Sequence, residues 1–399
     1  MSWEMVKLDD CLEWITYGFT NPMPDADNGP WKVTAKDIID GRINFDSARH
    51  TTQEAYEKDL TDKSRPIKDD LLLTKDGTLG RVALVGEETI CINQSVALLR
   101  LKKDIIAPEY LLYLLQSSEY QGKMLADAGG STIKHIYITK VNQMQIPLPP
   151  PETQRKLVDI LQAYDKILDI NQKQIKLLEE AAQRLYKEWF VDLHFPGYET
   201  TPIIDGIPEG WKKDTVDSII TLLSGFAFKS ADFSDDGTYK IVTIKNVQDG
   251  MFDGHNVSRI AEVPDKMPKH CYLHDGDILL SLTGNVGRVC MVNGSDYLLN
   301  QRVAKIKSNF PAFAYCLFRS NDMFIEMGNL ANGAAQQNLS PIKTAQIKIL
   351  IPSADLFARF EEIASVYMKQ TLNLNKQIEL LQESRDRLLP KLMSGEIEV

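Results

Sequence analysis

Leu157, Tyr164, Asn171, Leu178 and Leu185 recur every seven residues, and 203 residues further on Phe360, Tyr367, Leu374, Leu381 and Leu388 repeat the series. Ile160, Leu161, Ile167, Leu168, Ile175 and Ala182 widen the first series into an apolar seam, the signature of a helix that buries one side along its length. At ~1.5 Å per residue, a helix over most of 152–190 is roughly 55 Å long, more than one small module needs to complete its core. A lone helix of this kind would cap a domain and wet its other face. Two matched ones predict a coiled-coil strut.

The chain ahead of each helix is also duplicated. Asp70, Gly77, Gly80, Arg81 and Asn93-Gln94 recur as Asp277, Gly284, Gly287, Arg288 and Asn300-Gln301, all 207 residues on and without a gap. Gly18-Phe19 is answered by Gly225-Phe226, Trp3 by Trp211, and Lys36-Asp-Ile-Ile-Asp-Gly41 by Lys245-Asn-Val-x-Asp-Gly250. Asp70 to Val85 reads as a strand, a glycine-cornered turn and a returning strand, a helix is expected from Pro108 to Leu115, and a Gly-rich loop follows over 129–135. Prolines 147–151 set up the first long helix. The second is expected to start at the N-cap Ser353 and to break at Pro390. The predicted class is α+β: two α/β modules separated by two long antiparallel coiled-coil helices, with an internal pseudo-two-fold repeat. Expected boundaries are 1–151 for the first module, 152–195 for its helix, 196–207 for a linker, 208–352 for the second module, and 353–399 for its helix and tail.

Charge limits what such a chain can grip. The formal net charge is −10, while 152–190 carries seven acidic and seven basic side chains, so most of the excess acid lies in the modules. A surface of that sign does not hold a polyanion everywhere; a nucleic-acid face must be local, or a partner must supply cations. The five cysteines are scattered, and the chain shows neither an apolar leader nor a run approaching a membrane span, so a cytoplasmic protein without a membrane partner is expected. The sequence carries no Walker-type loop and no Asn-Pro-Pro-aromatic motif, and His270, Cys271 and His274 lack a fourth metal ligand. No enzymatic activity, catalytic residue, metal or resident cofactor is expected.

The segment Arg184-Leu-Tyr-Lys-Glu-Trp-Phe-Val-Asp-Leu, the ending Arg387-Leu-Leu-Pro-Lys-Leu-Met-Ser-Gly-Glu-Ile and the doubled Asp-x-Leu-Leu…Gly-x-x-Gly-Arg hairpin resemble the DNA-specificity (S) subunit of type I restriction-modification systems. The resemblance covers nearly the whole chain. It implies that each module is a target recognition domain for one half of a bipartite, asymmetric double-stranded DNA target. It also implies that the helices seat two methyltransferase (M) subunits, that restriction/motor (R) subunits join them, and that S-adenosylmethionine, ATP and Mg belong to those partners. The alternative reading is a duplicated coiled-coil scaffold whose end modules bind proteins.

Base reading needs paired donors and acceptors on loops that fit a groove. Candidates are Lys134 and His135 at the end of the first Gly-rich loop, and Gln336, Gln337 and Asn338 in the second. Arg81 and Arg288 after the hairpin glycines suit phosphate or base contacts, with a structural ion pair as the competing role. Lys75, Lys229 and Arg302 are further phosphate candidates. Asn93 and Asn300 are expected to hold their turns. For partner binding the candidates are Tyr186, Trp189 and Phe190 at the end of the first helix and Leu388, Leu389 and Leu392 at the end of the second, with packing onto the modules as the competing role. Asn171 is expected to set helix register or to face a partner.

Overall fold

The structure is a computed structural model that describes residues 3–126, 134–255, 257–331 and 337–399. The chain divides into two compact units, Met1–Ile167 with Leu381–Val399, and Leu168–Leu380. Both mix helix and strand, as the sequence predicts.

Among the described residues, the first unit is built on a four-stranded antiparallel sheet in the order Leu12–Tyr17, Val96–Leu101, Leu71–Thr74, Val82–Leu84. Ile220–Ser224, Val303–Ser308, Ile278–Ser281 and Val289–Met291 repeat that order in the second unit. Each unit also pairs an early strand with the last strand before a long helix, Glu4–Lys7 with Gln145–Leu148 and Lys212–Thr215 with Lys348–Ile351. The second sheets diverge. The first unit sets Ala26–Val33 between Arg49–His50 and Ile90–Ile92, whereas the second builds four strands around Tyr239–Val242 and Tyr297–Leu299.

The hairpin motif is explained by what its aspartate does. Asp70, 1% exposed, accepts the Ile67 N–H at 2.8 Å and forms a bidentate pair with Arg100 at 3.0 and 2.8 Å. Asp277 likewise accepts the His274 N–H at 2.8 Å and meets Lys305 Nζ at 2.6 Å. One carboxylate thus closes the entering turn and neutralises a cation from the neighbouring strand, a use that a neutral side chain cannot copy. The glycine corners Gly77, Gly80, Gly284 and Gly287 all take positive φ.

The first long helix is Pro151–Tyr186, closed by a π turn over Lys187–Val191; the second is Ala354–Met393. Pro390 does not end the second helix as the sequence suggested. It lies in the last turn, where a missing N–H costs one ladder bond, and the turn is completed by the Ser394 N–H donating to the Pro390 carbonyl at 2.9 Å. Within the second unit the two helices run in opposite directions: Asn171 meets Gln377 at 3.4 Å, while Trp189 packs on Phe360 at 5.9 Å between ring centroids. Asn171 is buried in that seam, bonded to the facing helix. In the first unit Asp165 accepts from Tyr113 Oη at 2.6 Å and from Arg385 Nη1 at 2.9 Å.

The six aromatic and leucine residues expected to face partners belong to the cores of their own units. Tyr186, Trp189 and Phe190 are 6–8% exposed and interlock with Trp211, Phe313 and Phe360. Leu389 and Leu392 are buried in the first unit's core, and Leu388 packs against it. The competing packing role describes all six, because a π turn and a proline-bearing last turn both bring the helix end onto its module.

Each long helix also caps a short one. Gln154 Oε1 accepts the Ala107 N–H at 2.8 Å ahead of Pro108–Gln116, and Glu361 accepts the N–H groups of Ala312 and Phe313 at 2.6 and 3.1 Å at the start of Pro311–Phe318. Burial pushes the Glu361 carboxyl above its ordinary value of 4.5, outweighing those two bonds, which pull the other way. A carboxyl raised on folding holds its proton more tightly in the folded state, so its favourable contribution is full at low pH and is lost as pH climbs through the raised value. Glu361→Gln cannot ionise. Its thermal midpoint relative to the parent chain is therefore expected to rise as pH goes from about 4 to about 7, and a difference that is flat or falls with pH contradicts this assignment. A second expectation concerns Gly18, where an added methyl would sit 1.8 Å from the Ile92 carbonyl oxygen. Gly18→Ala should cost about 1–3 kcal/mol or more in denaturant unfolding, while Gly122→Ala, on the helix Ser118–Ala126 with nothing within 4 Å, should gain up to about 1 kcal/mol.

Candidate nucleic-acid interface

Four segments separated in sequence meet at one rim of the first unit. The Gly18-Phe19 loop lies against the Asn93-Gln94 turn, with the Phe19 N–H donating to Ile92 O at 3.0 Å and the Gln94 N–H to Phe19 O at 2.8 Å. No side chain fits between them, which is why the first residue of that loop is glycine. The hairpin turn joins next, as the Lys75 N–H donates to Ser95 O at 2.9 Å. The exit of the Gly-rich loop then closes the set: the Ile136 N–H donates to Lys75 O at 2.9 Å, and Asp76 and His135 form an antiparallel bridge.

The second unit repeats the frame bond for bond. The Phe226 N–H donates to Leu299 O and the Gln301 N–H to Phe226 O, both at 2.9 Å; the Leu282 N–H donates to Arg302 O at 3.0 Å. The Leu339 N–H donates to Leu282 O at 2.7 Å, with Thr283 and Asn338 bridged in the places of Asp76 and His135. The asparagines hold these turns as expected. Asn93 Oδ1 accepts from the Ser95 N–H at 3.2 Å and Oγ at 2.6 Å, and Asn300 Oδ1 from the Arg302 N–H at 3.4 Å.

Lys75, Lys134 and His135 come together at the first rim. The Lys75 ammonium donates to Gln94 O at 3.2 Å, pairs with Asp76 and lies 5.3 Å from the centre of the Tyr17 ring; His135 stands edge-on to Tyr137 at 4.3 Å. Gln337, Asn338 and Arg302 share the second rim, all exposed, and Lys229 extends exposed from the loop that carries Phe226. Gln336 lies outside the described residues, as do the loop glycines 129, 130 and 333.

Arg81 and Arg288 are not part of either rim. Arg81 Nη1 donates to Ile38 O at 3.1 Å, and Arg288 donates to the Gln248 side chain, so both guanidinium groups turn back onto the Lys36–Gly41 motif and its copy. That motif has its own lock: Asp37 accepts from the Thr34 N–H and Oγ1 at 2.9 and 2.8 Å, and Asn246 from the Thr243 N–H and Oγ1 at 2.8 and 3.0 Å. His270 Nε2 lies 2.9 Å from Ser224 O, the His274 backbone N–H donates to Asp277, and the Cys271 thiol is buried and pushed up by that burial. Among the described residues no group of three His, Cys, Asp or Glu could hold a metal ion, and no helix is long and apolar enough to cross a membrane.

A cavity of about 250 Å³ opens beside Phe19 and Asn93 in the first unit. Two of its cations are already matched: Lys32 Nζ donates to the Met23 and Pro24 carbonyls at 3.2 and 3.1 Å and pairs with Asp25, to which Arg49 also donates at 3.2 Å. The hydrogen bond from Lys32 holds the exposed Asp25 carboxyl below its usual range. Sequence reading missed Tyr17, Asp76 and Tyr137 at the first rim and Thr283 at the second. The 207-residue register between the copies carries the signal for the strand-end and turn positions, since it places each opposite a residue of different chemistry.

Residues 2–180 and 208–380 match the family model described as "Type I restriction modification DNA specificity domain". The chain is 26% identical over 386 residues to the type I restriction enzyme MjaIX specificity subunit of Methanocaldococcus jannaschii, covering 93% of this chain and 87% of that one. It is 22% identical to the type I restriction enzyme HindI specificity subunit of Haemophilus influenzae, over 74% of this chain and 78% of the relative. Among solved structures, the type I restriction-modification S subunit from M. genitalium has the same fold, with a TM-score of 0.59 at 17% identity over 98% of this chain and 96% of that one.

Proposed function

The chain belongs to the type I restriction modification DNA specificity domain family, and we propose that it serves as the non-catalytic subunit that chooses where its complex acts, each unit reading one half of a bipartite, asymmetric DNA target. The observation that carries this reading is the doubled rim: one backbone frame, built twice from the same hydrogen bonds, presenting different side chains. Identical rims would suit a palindromic target; unlike rims suit unlike half-sites. The scaffold alternative has no comparable use for a frame that is kept while its exposed side chains change.

In this reading the long helices set the gap between half-sites and seat two methyltransferase subunits, with restriction/motor subunits joining them. The partners carry S-adenosylmethionine, ATP and Mg, methylate adenine and help enclose the duplex, which offsets this chain's formal charge of −10. With Trp189 and its neighbours buried, the groups left for a partner on the helices of the second unit include apolar side chains facing solvent, among them Leu177 at 64%, Leu380 at 63% and Val366 at 51% exposure.

The reading is tested by co-expressing the chain with a cognate methyltransferase subunit and mapping methylated adenines across the genome. A two-part motif with a constant gap is expected, and its absence sinks the proposal. Adding or removing one heptad within 160–180 should then change the gap or abolish binding while leaving both half-sites as they were. Half-sites that change at constant gap would show that the helices do not set the spacing.

A further inference from the structure

The two rims can be superposed residue by residue through their hydrogen bonds, and this exposes where their chemistry parts. Tyr17 pairs with Ala97 at the end of its strand as Ser224 pairs with Ala304. Asp76 bridges His135 as Thr283 bridges Asn338. At these three positions the backbone is the same and the side chains are not.

On that basis, and resting on the reading of the units as half-site readers, we propose that positions 17, 76 and 135 in the first unit and 224, 283 and 338 in the second are the specificity-determining set, and that exchanging them exchanges part of the half-site read. In the first unit the set is aromatic and ionisable: Tyr17 is 45% exposed with the Lys75 ammonium near its face, and Asp76, whose carboxylate pairs with that ammonium, is bridged through its backbone to His135. A carboxylate accepts from the cytosine amino group, and an exposed ring packs on a thymine methyl or a sugar. The second set is neutral and smaller. Asn338 is exposed with an amide able to pair bidentately with adenine, while Thr283 Oγ1 is buried without a hydrogen-bond partner among the described residues. The position equivalent to Lys75 is Leu282, 4% exposed, so the second rim also lacks the first rim's cation there.

None of the six side chains takes part in the backbone bonds that join the four segments. Exchange at these positions therefore leaves the scaffold standing. The first unit would carry Tyr17→Ser, Asp76→Thr and His135→Asn; the reciprocal variant carries Ser224→Tyr, Thr283→Asp and Asn338→His.

Each variant is made in the full chain, co-expressed with the methyltransferase subunit, and read by methylome mapping and by thermal unfolding. The first variant should shift base preference in one half-site only, by roughly 10- to 100-fold at one or two positions and toward the bases of the other half; the reciprocal variant should do the same to the opposite half. Unchanged motifs from a folded, active complex overturn the proposal, as does a uniform loss of methylation in both variants at unchanged thermal midpoint. If only one variant loses activity, the other decides, by a shift confined to its own half-site or by none. A parent chain that yields no two-part motif would instead defeat the functional reading on which this rests, so the two failures are distinct.

Discussion

Backbone hydrogen bonds between segments 20 (Lys75 to Ser95) to 75 (Phe19 to Gln94) residues apart hold each rim together, and the rest of the molecule's logic follows from their being backbone bonds. The Phe19, Gln94, Lys75 and Ile136 amides, and their counterparts at 226, 301, 282 and 339, donate to main-chain carbonyls. Such bonds constrain shape without constraining side chains, apart from the places where two chains touch too closely for a Cβ. Gly18 and Gly225 are those places. The frame can stay constant while what it displays drifts.

Where side chains do hold the structure, they recur. Asp70 and Asp277 each close a turn and meet a cation from the next strand, although the cation is Arg100 in one copy and Lys305 in the other, on positions that do not correspond in register. The carboxylate is kept because it satisfies a backbone N–H and a charge together; the cation has only to reach it. Asp37 and Asn246 show the same tolerance, one accepting a Ser47 hydroxyl and the other donating to Asp253 O, while both bind a threonine three residues back.

The heptad series and the constant offset made the long helices, the hairpins and the duplication legible, because periodicity and register survive as sequence. The side of a helix end that faces its own module does not. Tyr186, Trp189 and Phe190 looked like an interface since aromatic clusters suit one, but Tyr186 at the helix end and Trp189 and Phe190 in the π turn over Lys187–Val191 all pack into the core. Arg81 and Arg288 were similarly ambiguous: a basic residue after a glycine corner can point either way, and here carbonyl and amide oxygens of a neighbouring loop capture it. Tyr17 escaped notice because a tyrosine ending a strand is ordinary until its neighbours in space are known. Lys75, Lys134 and His135 were legible as chemistry, and the bonds at 75 and 136 explain why the hairpin and the loop exit belong to one site.

The first unit is discontinuous: it leaves the chain at 167 and is completed by 381–399, whose Leu389, Leu392 and Met393 fill its core. The ribosome therefore delivers the whole of the second unit before it supplies the last pieces of the first. Until then the nascent first unit has an open apolar cleft, and closing it means joining ends separated by more than 200 residues, a slow step by contact-order reasoning although the added loop entropy grows only logarithmically. The second unit, drawn from one continuous stretch, faces no such delay. Synthesis order thus sets an assembly order, with the N-terminal reader maturing last.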